Sequence, residues 1–161
     1  RFLADDCVWL DKQPSGFHVM PWHPSLRIWE DTFETLKPSF TNIEATKNSI
    51  GKWQLGSSQA NTHSAFYCGV ARPLKHVYFL ETNSTDEIEI KSVTTQEAVI
   101  SLLSHRFLLD ISNKEVLSGD IKSISALANA AACFRLCVPS NFDALPDIRS
   151  RIVAHTNGKP L

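Results

Sequence analysis

The sequence predicts a layered fold of the α/β or α+β class, in which strands pack against helices. Short segments within the first thirty residues alternate apolar and polar side chains, as half-buried strands do. Residues 76–80 form a further apolar, strand-like segment, residues 87–90 form one with clean alternation, and helical spacing of apolar residues begins soon after them. Strands first, and then helix alternating with strand, indicate a mixed sheet with flanking helices.

Composition indicates one globular domain over residues 1–161. The apolar fraction of 43%, the charged fraction of 20% and the net charge of -1 are ordinary for a compact protein. This charge supplies no general field for nucleic acid or for an anionic membrane. No segment approaches the roughly 18 apolar residues of a membrane span, and no signal-peptide pattern is present. A cytoplasmic protein with no nucleic-acid or membrane partner is therefore expected.

The first forty residues carry four predicted elements in order. A strand over residues 1–10 is interrupted or ended by Asp5 and Asp6, and residues 17–20 follow a turn over 13–16 as the second arm of a hairpin. Residues 26–29 alternate as a strand, with Arg27 on the face opposite Leu26. Residues 31–34 resemble a capping box, which predicts a short helix that ends at the following proline.

The middle of the chain is polar and weakly periodic, and regular elements return after it. Residues 39–69 contain one compact segment at 51–55, and strands are predicted at 76–80 and 87–90. A capping box at residues 94–97 opens a helix, and Asp120 is predicted to begin another. A strand over 134–138 and a helix over about 143–153 complete the series.

Two adjacent carboxylates, Asp5 and Asp6, are the strongest chemical feature. They follow an apolar segment, and ligands of α/β sheets bind beyond the carboxyl ends of strands. A carboxylate there can hold Mg²⁺ beside a phosphate or accept a proton from an attacking hydroxyl. The alternative is an Asp-rich structural turn, because Asp favours turns.

Several segments together resemble the HPr serine kinase-like proteins, in particular a divergent bacterial branch found beside peptide-modification genes. They are FLADDCVWL at 2–10, GFHVMP at 16–21, HPSLRIW at 23–29, PLKHVYFLE at 73–81, EAVISLL at 97–103, FRL at 134–136 and LP at 145–146. The resemblance runs in order along nearly the whole chain.

This resemblance implies an ATP-dependent serine or hydroxyl kinase with a layered P-loop kinase fold, similar to the carboxyl-terminal domain of phosphoenolpyruvate carboxykinase. ATP and Mg²⁺ are the implied cofactors, and a peptide or small-protein hydroxyl is the implied phosphoacceptor. By resemblance, Asp5 accepts the proton of that hydroxyl and Asp6 binds the metal, although the two roles can be exchanged. Such kinases form oligomers, so a homo-oligomer is also possible.

Two basic residues are candidates for nucleotide binding by the same resemblance. Arg27 has the chemistry to clamp phosphate oxygens with its guanidinium, and the alternative is a surface ion pair with Glu30 or Asp31. Lys52 is a second candidate phosphate contact, and the alternative is an exposed loop lysine.

The chain departs from the kinase pattern in one respect. The family has a phosphate-binding loop of the G-x-x-x-x-G-K-[ST] kind upstream of the aspartates, and none of the six glycines here forms it. Since the chain opens on Arg1 within an apparent strand, the sequence favours a kinase fragment that is inactive alone. The alternatives are a non-catalytic peptide- or partner-binding module on the same fold and, less favoured, a phosphorylase.

Overall fold

The computed structural model describes residues 2–22, 25–39, 45–56, 67–83, 85–105 and 114–158. The chain is a mixed α/β protein with small sheets and flanking helices, and it divides into two compact units, Arg1–Pro73 and Leu74–Leu161. Among the described residues, no helix is long and apolar enough to cross a membrane. The single domain expected from composition stays a prediction, which the division into two compact units neither confirms nor contradicts.

The first unit contains two three-stranded antiparallel sheets. Its elements are β1 (Trp9–Gln13), β2 (Gly16–Met20), β3 (Leu26–Ile28), α1 (Glu30–Leu36), a 3-10 turn (Lys37–Ser39), β4 (Ala45–Lys47), β5 (Trp53–Leu55) and β6 (Arg72–Pro73). One sheet has the order β1-β2-β6 and the other has the order β3-β5-β4. The predicted hairpin is confirmed, because β1 and β2 pair across the turn with Trp9 opposite Met20.

The strand predicted over residues 1–10 begins later than expected. Phe2 lies in an isolated parallel bridge with Tyr67, and the continuous strand starts at Trp9, after the aspartates. The reason is local backbone geometry: Asp6 has a positive φ of 59°, which bends the chain and separates the bridge from β1. The two carboxylates therefore lie in a bend and not inside a strand.

Helix α1 ends before Pro38 as predicted, but the capping box predicted at its start is wrong. The helix begins at Glu30, its N-cap is Trp29, and no side chain caps it. Phe33 is the buried residue of α1 and stacks on Trp53 of β5 with ring centroids 4.1 Å apart. Burial of Phe33 against the Trp53 ring fixes where the helix lies and outweighs a weak local capping signal.

The second unit combines a three-stranded mixed sheet with three helices. Its elements are β7 (His76–Asn83), β8 (Glu89–Ser92), α2 (Thr95–Ser104), α3 (Lys114–Ala130), β9 (Ala132–Pro139), a 3-10 turn (Phe142–Ala144) and α4 (Leu145–Thr156). Strand β9 is central, parallel to β7 and antiparallel to β8. Helix α3 begins at Lys114, before Asp120, so the predicted start there is wrong.

The two faces of this sheet carry different side chains. Cys133 of β9 is buried on one face with Ala98 and Ala128 of the helices, and burial raises the pKa of its thiol. On the other face, the Tyr78 hydroxyl lies 2.7 Å from Nδ1 of His155 on α4, and burial raises the pKa of Tyr78. Helices thus cover both faces, as the sequence predicts.

The capping box of α2 gives a direct test of local stability. Thr94 donates to Oε2 of Glu97 from its backbone N–H and its hydroxyl, and the Glu97 N–H donates back to Oγ1. These hydrogen bonds favour the charged carboxylate and hold the pKa of Glu97 below its ordinary value. Stability from a lowered carboxyl pKa is present above the unfolded pKa and is lost as the pH falls through the folded pKa.

Thr94→Ala is therefore expected to lower the free energy of unfolding by about 1 kcal/mol at neutral pH. The difference from the parent should shrink as the pH falls through the Glu97 pKa. Urea denaturation between neutral and acid pH measures both effects. Thr95→Ala is the matched control, since Thr95 lies in the helix and makes no cap. An equal loss in both variants, or a loss that does not depend on pH, would contradict the prediction.

Candidate functional site

The aspartate pair lies in a tight bend that ends just before β1. The N–H of Cys7 donates to the carbonyl oxygen of Asp5 at 2.6 Å, which closes a three-residue turn around Asp6. Asp6 is the one non-glycine residue with positive φ in the described part of the chain. A non-glycine residue in this backbone conformation costs on the order of 1 kcal/mol, so it persists only where the surrounding structure holds it. Such positions concentrate at functional sites.

Arg27 holds both carboxylates, each through a different group. Its guanidinium Nη2 lies 2.7 Å from Oδ2 of Asp6, and its backbone N–H donates to Oδ2 of Asp5 at 2.8 Å. The side chains of Arg27 and Asp6 are 47% and 49% exposed, so this ion pair contributes about 0–1 kcal/mol to stability. The pair therefore organises the bend more than it stabilises the unit.

Strand alternation brings Arg27 to this position. Arg27 is opposite Gln54 in the register of β3 and β5, and paired residues of neighbouring strands lie on the same face. Ser25 precedes Arg27 by two residues and is buried at 3% exposure. Leu26 and Ile28 take the other face, as the sequence predicts, so the polar face of β3 turns to the aspartates.

These side chains surround a cavity of about 330 Å³. It is lined by Asp5, Asp6, Cys7, Trp22, Ser25, Arg27 and Gln54. Two carboxylates and one guanidinium give the lining a formal charge of -1. Such a lining offers anionic oxygens to a cation and guanidinium N–H groups to an anion at the same place, as a metal-bound phosphate requires.

The carboxylates fit Mg²⁺ as it is carried by a nucleotide. Both Oδ2 atoms accept hydrogen bonds from Arg27, and within the described ranges neither Oδ1 atom accepts a hydrogen bond from the protein. No group of three or more His, Cys, Asp or Glu side chains is placed to hold a metal within the described ranges. Mg²⁺ is commonly bound by one or two carboxylates, with water and substrate phosphates as its other ligands. The donor set suits that arrangement.

The structure separates Lys52 from the other predicted site residues. Lys52 does not line the cavity; its Nζ lies 4.6 Å from the centroid of the Trp29 ring, and its backbone N–H donates to Asn48. It directly precedes β5 and lies two residues before Gln54, the residue opposite Arg27. Lys52 is half-buried, so the description as an exposed loop lysine does not fit, and its role as a phosphate contact stays a prediction.

Arg27 does not make the ion pairs that the sequence offered as its alternative. Among described residues its carboxylate partner is Asp6, while Glu30 binds Lys47 at 2.7 Å. Ser25 and Gln54 were not predicted as site residues at all. The sequence did offer a signal for each of them. Ser25 is a polar residue two positions before Arg27, and Gln54 is the polar residue between Trp53 and Leu55.

No protein-family model, no curated protein and no solved structure matches the chain.

Proposed function

We propose that the chain carries the acidic part of the active site of an ATP-dependent hydroxyl kinase, whose acceptor is a hydroxyl on a peptide or small protein. The observation that supports this function is the convergence of Asp5, Asp6 and Arg27 on one cavity. Phosphoryl transfer requires positioning and charge neutralisation more than covalent chemistry, and this set supplies both. The layered P-loop kinase fold is part of the same proposal.

The hydrogen bonds favour Asp5 as the base and Asp6 as the metal ligand. Asp5 is oriented by a backbone N–H, which stays in place throughout a reaction. Asp6 is bound by an exposed guanidinium, and that group can exchange the carboxylate for a phosphate oxygen. Asp6 would then hold Mg²⁺, which neutralises phosphate charge when bound.

In the transfer itself, the acceptor hydroxyl gives its proton to Asp5 while its oxygen forms a bond to the γ-phosphorus of ATP. The bond from that phosphorus to the bridging oxygen breaks, and ADP leaves with the electron pair. Arg27 stabilises the charge on the transferred group through its N–H donors. The G-x-x-x-x-G-K-[ST] loop that cradles the other phosphates in such kinases does not occur in these 161 residues.

Calorimetry of Mg²⁺-ATP binding to the complete native gene product tests the proposal. The double variant Asp5→Asn/Asp6→Asn should lose the Mg²⁺ dependence of binding, because both anionic ligands are gone. Asp11→Asn is the matched control: Asp11 lies in β1 and hydrogen-bonds Gln13, away from the cavity lining. Absence of Mg²⁺-ATP binding by the folded product would contradict the kinase proposal.

A second candidate function is a non-catalytic peptide- or partner-binding module. One observation favours it: Arg27 already satisfies an oxygen of each carboxylate, so the three residues also make sense as a structural clasp for the bend. A module of this kind binds a peptide without nucleotide. Unchanged peptide binding together with absent Mg²⁺-ATP binding would support it.

A further inference from the structure

An exposed aromatic patch continues the cavity along β1. Val8, Trp9 and Trp22 are 58%, 59% and 60% exposed, although large apolar side chains are more often covered. The rings of Trp9 and Trp22 lie 5.6 Å apart, tilted by 51°. Trp22 also lines the cavity beside Asp6, so the patch and the candidate site form one continuous surface.

The two tryptophans are held in place by backbone pairing. Trp9 is opposite Met20 in the hairpin, and Trp22 follows Met20 by two residues on the same side. The N–H of Trp22 donates to the carbonyl oxygen of Leu3 at 3.0 Å. The patch is thus preformed, which lowers the entropic cost of binding a ligand to it.

Among the described strands, β1 has an open edge on the side away from β2, and Trp9 is the residue of the patch that borders it. Its sheet has the order β1-β2-β6, so among the described strands β1 pairs with β2 alone. In an antiparallel ladder alternate residues turn their N–H and C=O groups away from the partner strand, and such groups accept a further strand. The five residues of β1, Trp9–Gln13, begin three residues after Asp6.

We propose that this edge binds an extended peptide, which pairs with β1 as a fourth strand and lays an aromatic or large aliphatic side chain on Trp9, whose ring is supported from the β2 side by Trp22. The proximity of the edge to the bend brings a Ser or Thr hydroxyl of the same peptide to the cavity. The use of that hydroxyl as phosphoacceptor rests on the proposed function, whereas peptide binding does not. A free nucleobase would use the rings and leave the strand edge unused, so a peptide fits both features.

A capped heptapeptide, Lys-Ser-Phe-Thr-Phe-Ser-Lys, is a suitable probe for calorimetry with the full chain. Trp9→Ala and Trp22→Ala together should weaken its binding at least about tenfold, because stacked aromatic anchors dominate such interfaces. Trp29→Ala is the matched control: Trp29 is 57% exposed but lies outside the patch, under Lys52. Circular dichroism checks that the variants fold.

Two modified peptides test the inference on the unaltered protein. N-methylation of alternate amides should weaken binding about tenfold or more if the backbone pairs with β1, and replacement of both phenylalanines by alanine should do the same if the rings stack. Equal affinity for all three peptides, equal affinity of the double tryptophan variant, or no binding of the parent peptide at millimolar concentration would overturn the inference.

The peptide and nucleotide measurements separate the two proposals. Peptide binding that survives in Asp5→Asn/Asp6→Asn, with no Mg²⁺-ATP binding by the folded native product, supports the peptide edge and rejects the kinase. Mg²⁺-ATP binding without peptide binding rejects the edge and leaves the kinase standing.

Discussion

Leu136→Ala is expected to remove about 2–5 kcal/mol from the free energy of unfolding. Leu136 is 4% exposed in β9, the central strand of the second unit, and it is opposite Leu80 on β7 and Ile90 on β8. Truncation takes buried methyl groups from the middle of a three-stranded sheet. Neighbouring strands on both sides limit how far the structure can collapse into the space, so the cost of the cavity adds to the lost burial.

Far-UV circular dichroism in a denaturant titration is the appropriate measurement. Helices α2, α3 and α4 all belong to the second unit, whereas all four tryptophans precede residue 54 and report on the first. Leu80→Ala is the matched control, because Leu80 is the register partner of Leu136 but is 66% exposed. It should cost less than about 1 kcal/mol. Equal losses in both variants would show that burial of Leu136 is not what stabilises the sheet.

Local signals explain which elements could be predicted. The hairpin follows from alternation on both sides of Pro14–Gly16, and α2 follows from the reciprocal pattern of Thr94 and Glu97, since these signals lie within a few residues. The start of α3 was misplaced because Asp120 resembles an N-cap residue. Asp120 lies inside the helix, and apolar spacing continues back through it to Leu117.

The candidate site was predictable in its residue types but not in its contacts. Asp5 and Asp6 could be selected because carboxylates after an apolar segment suit phosphate chemistry, and Arg27 could be selected by resemblance and by its guanidinium; the structure does bring these three together. The partner of Arg27 depends on tertiary structure: the bend at Asp6 approaches β3 from more than 20 positions away, and the pairing of Glu30 with Lys47 removes a nearer carboxylate. Neither fact leaves a local pattern in the sequence.

Arg27→Ala is expected to weaken Mg²⁺-ATP binding by the native gene product about 10- to 100-fold, the typical value of hydrogen bonds to a charged group. The substitution removes the guanidinium that would bind phosphate and leaves two unneutralised carboxylates facing an anionic ligand. Arg27→Lys keeps the charge but not the planar fork of donors, so its loss should be smaller. Arg72→Ala is the matched control, since Arg72 is exposed in β6 and does not line the cavity.

The same variants distinguish a phosphate clamp from a structural clasp. The Arg27–Asp6 pair is about half exposed, so a phosphate clamp predicts a large loss of affinity with a stability change of at most about 1 kcal/mol. A structural clasp predicts little loss of affinity and a larger loss of stability. Without Arg27, the positive φ of Asp6 would lose its support and the bend before β1 would open. Thermal unfolding beside calorimetry measures both quantities on one sample. Unchanged affinity in Arg27→Ala, whatever the stability, would remove Arg27 from nucleotide binding and favour the binding module.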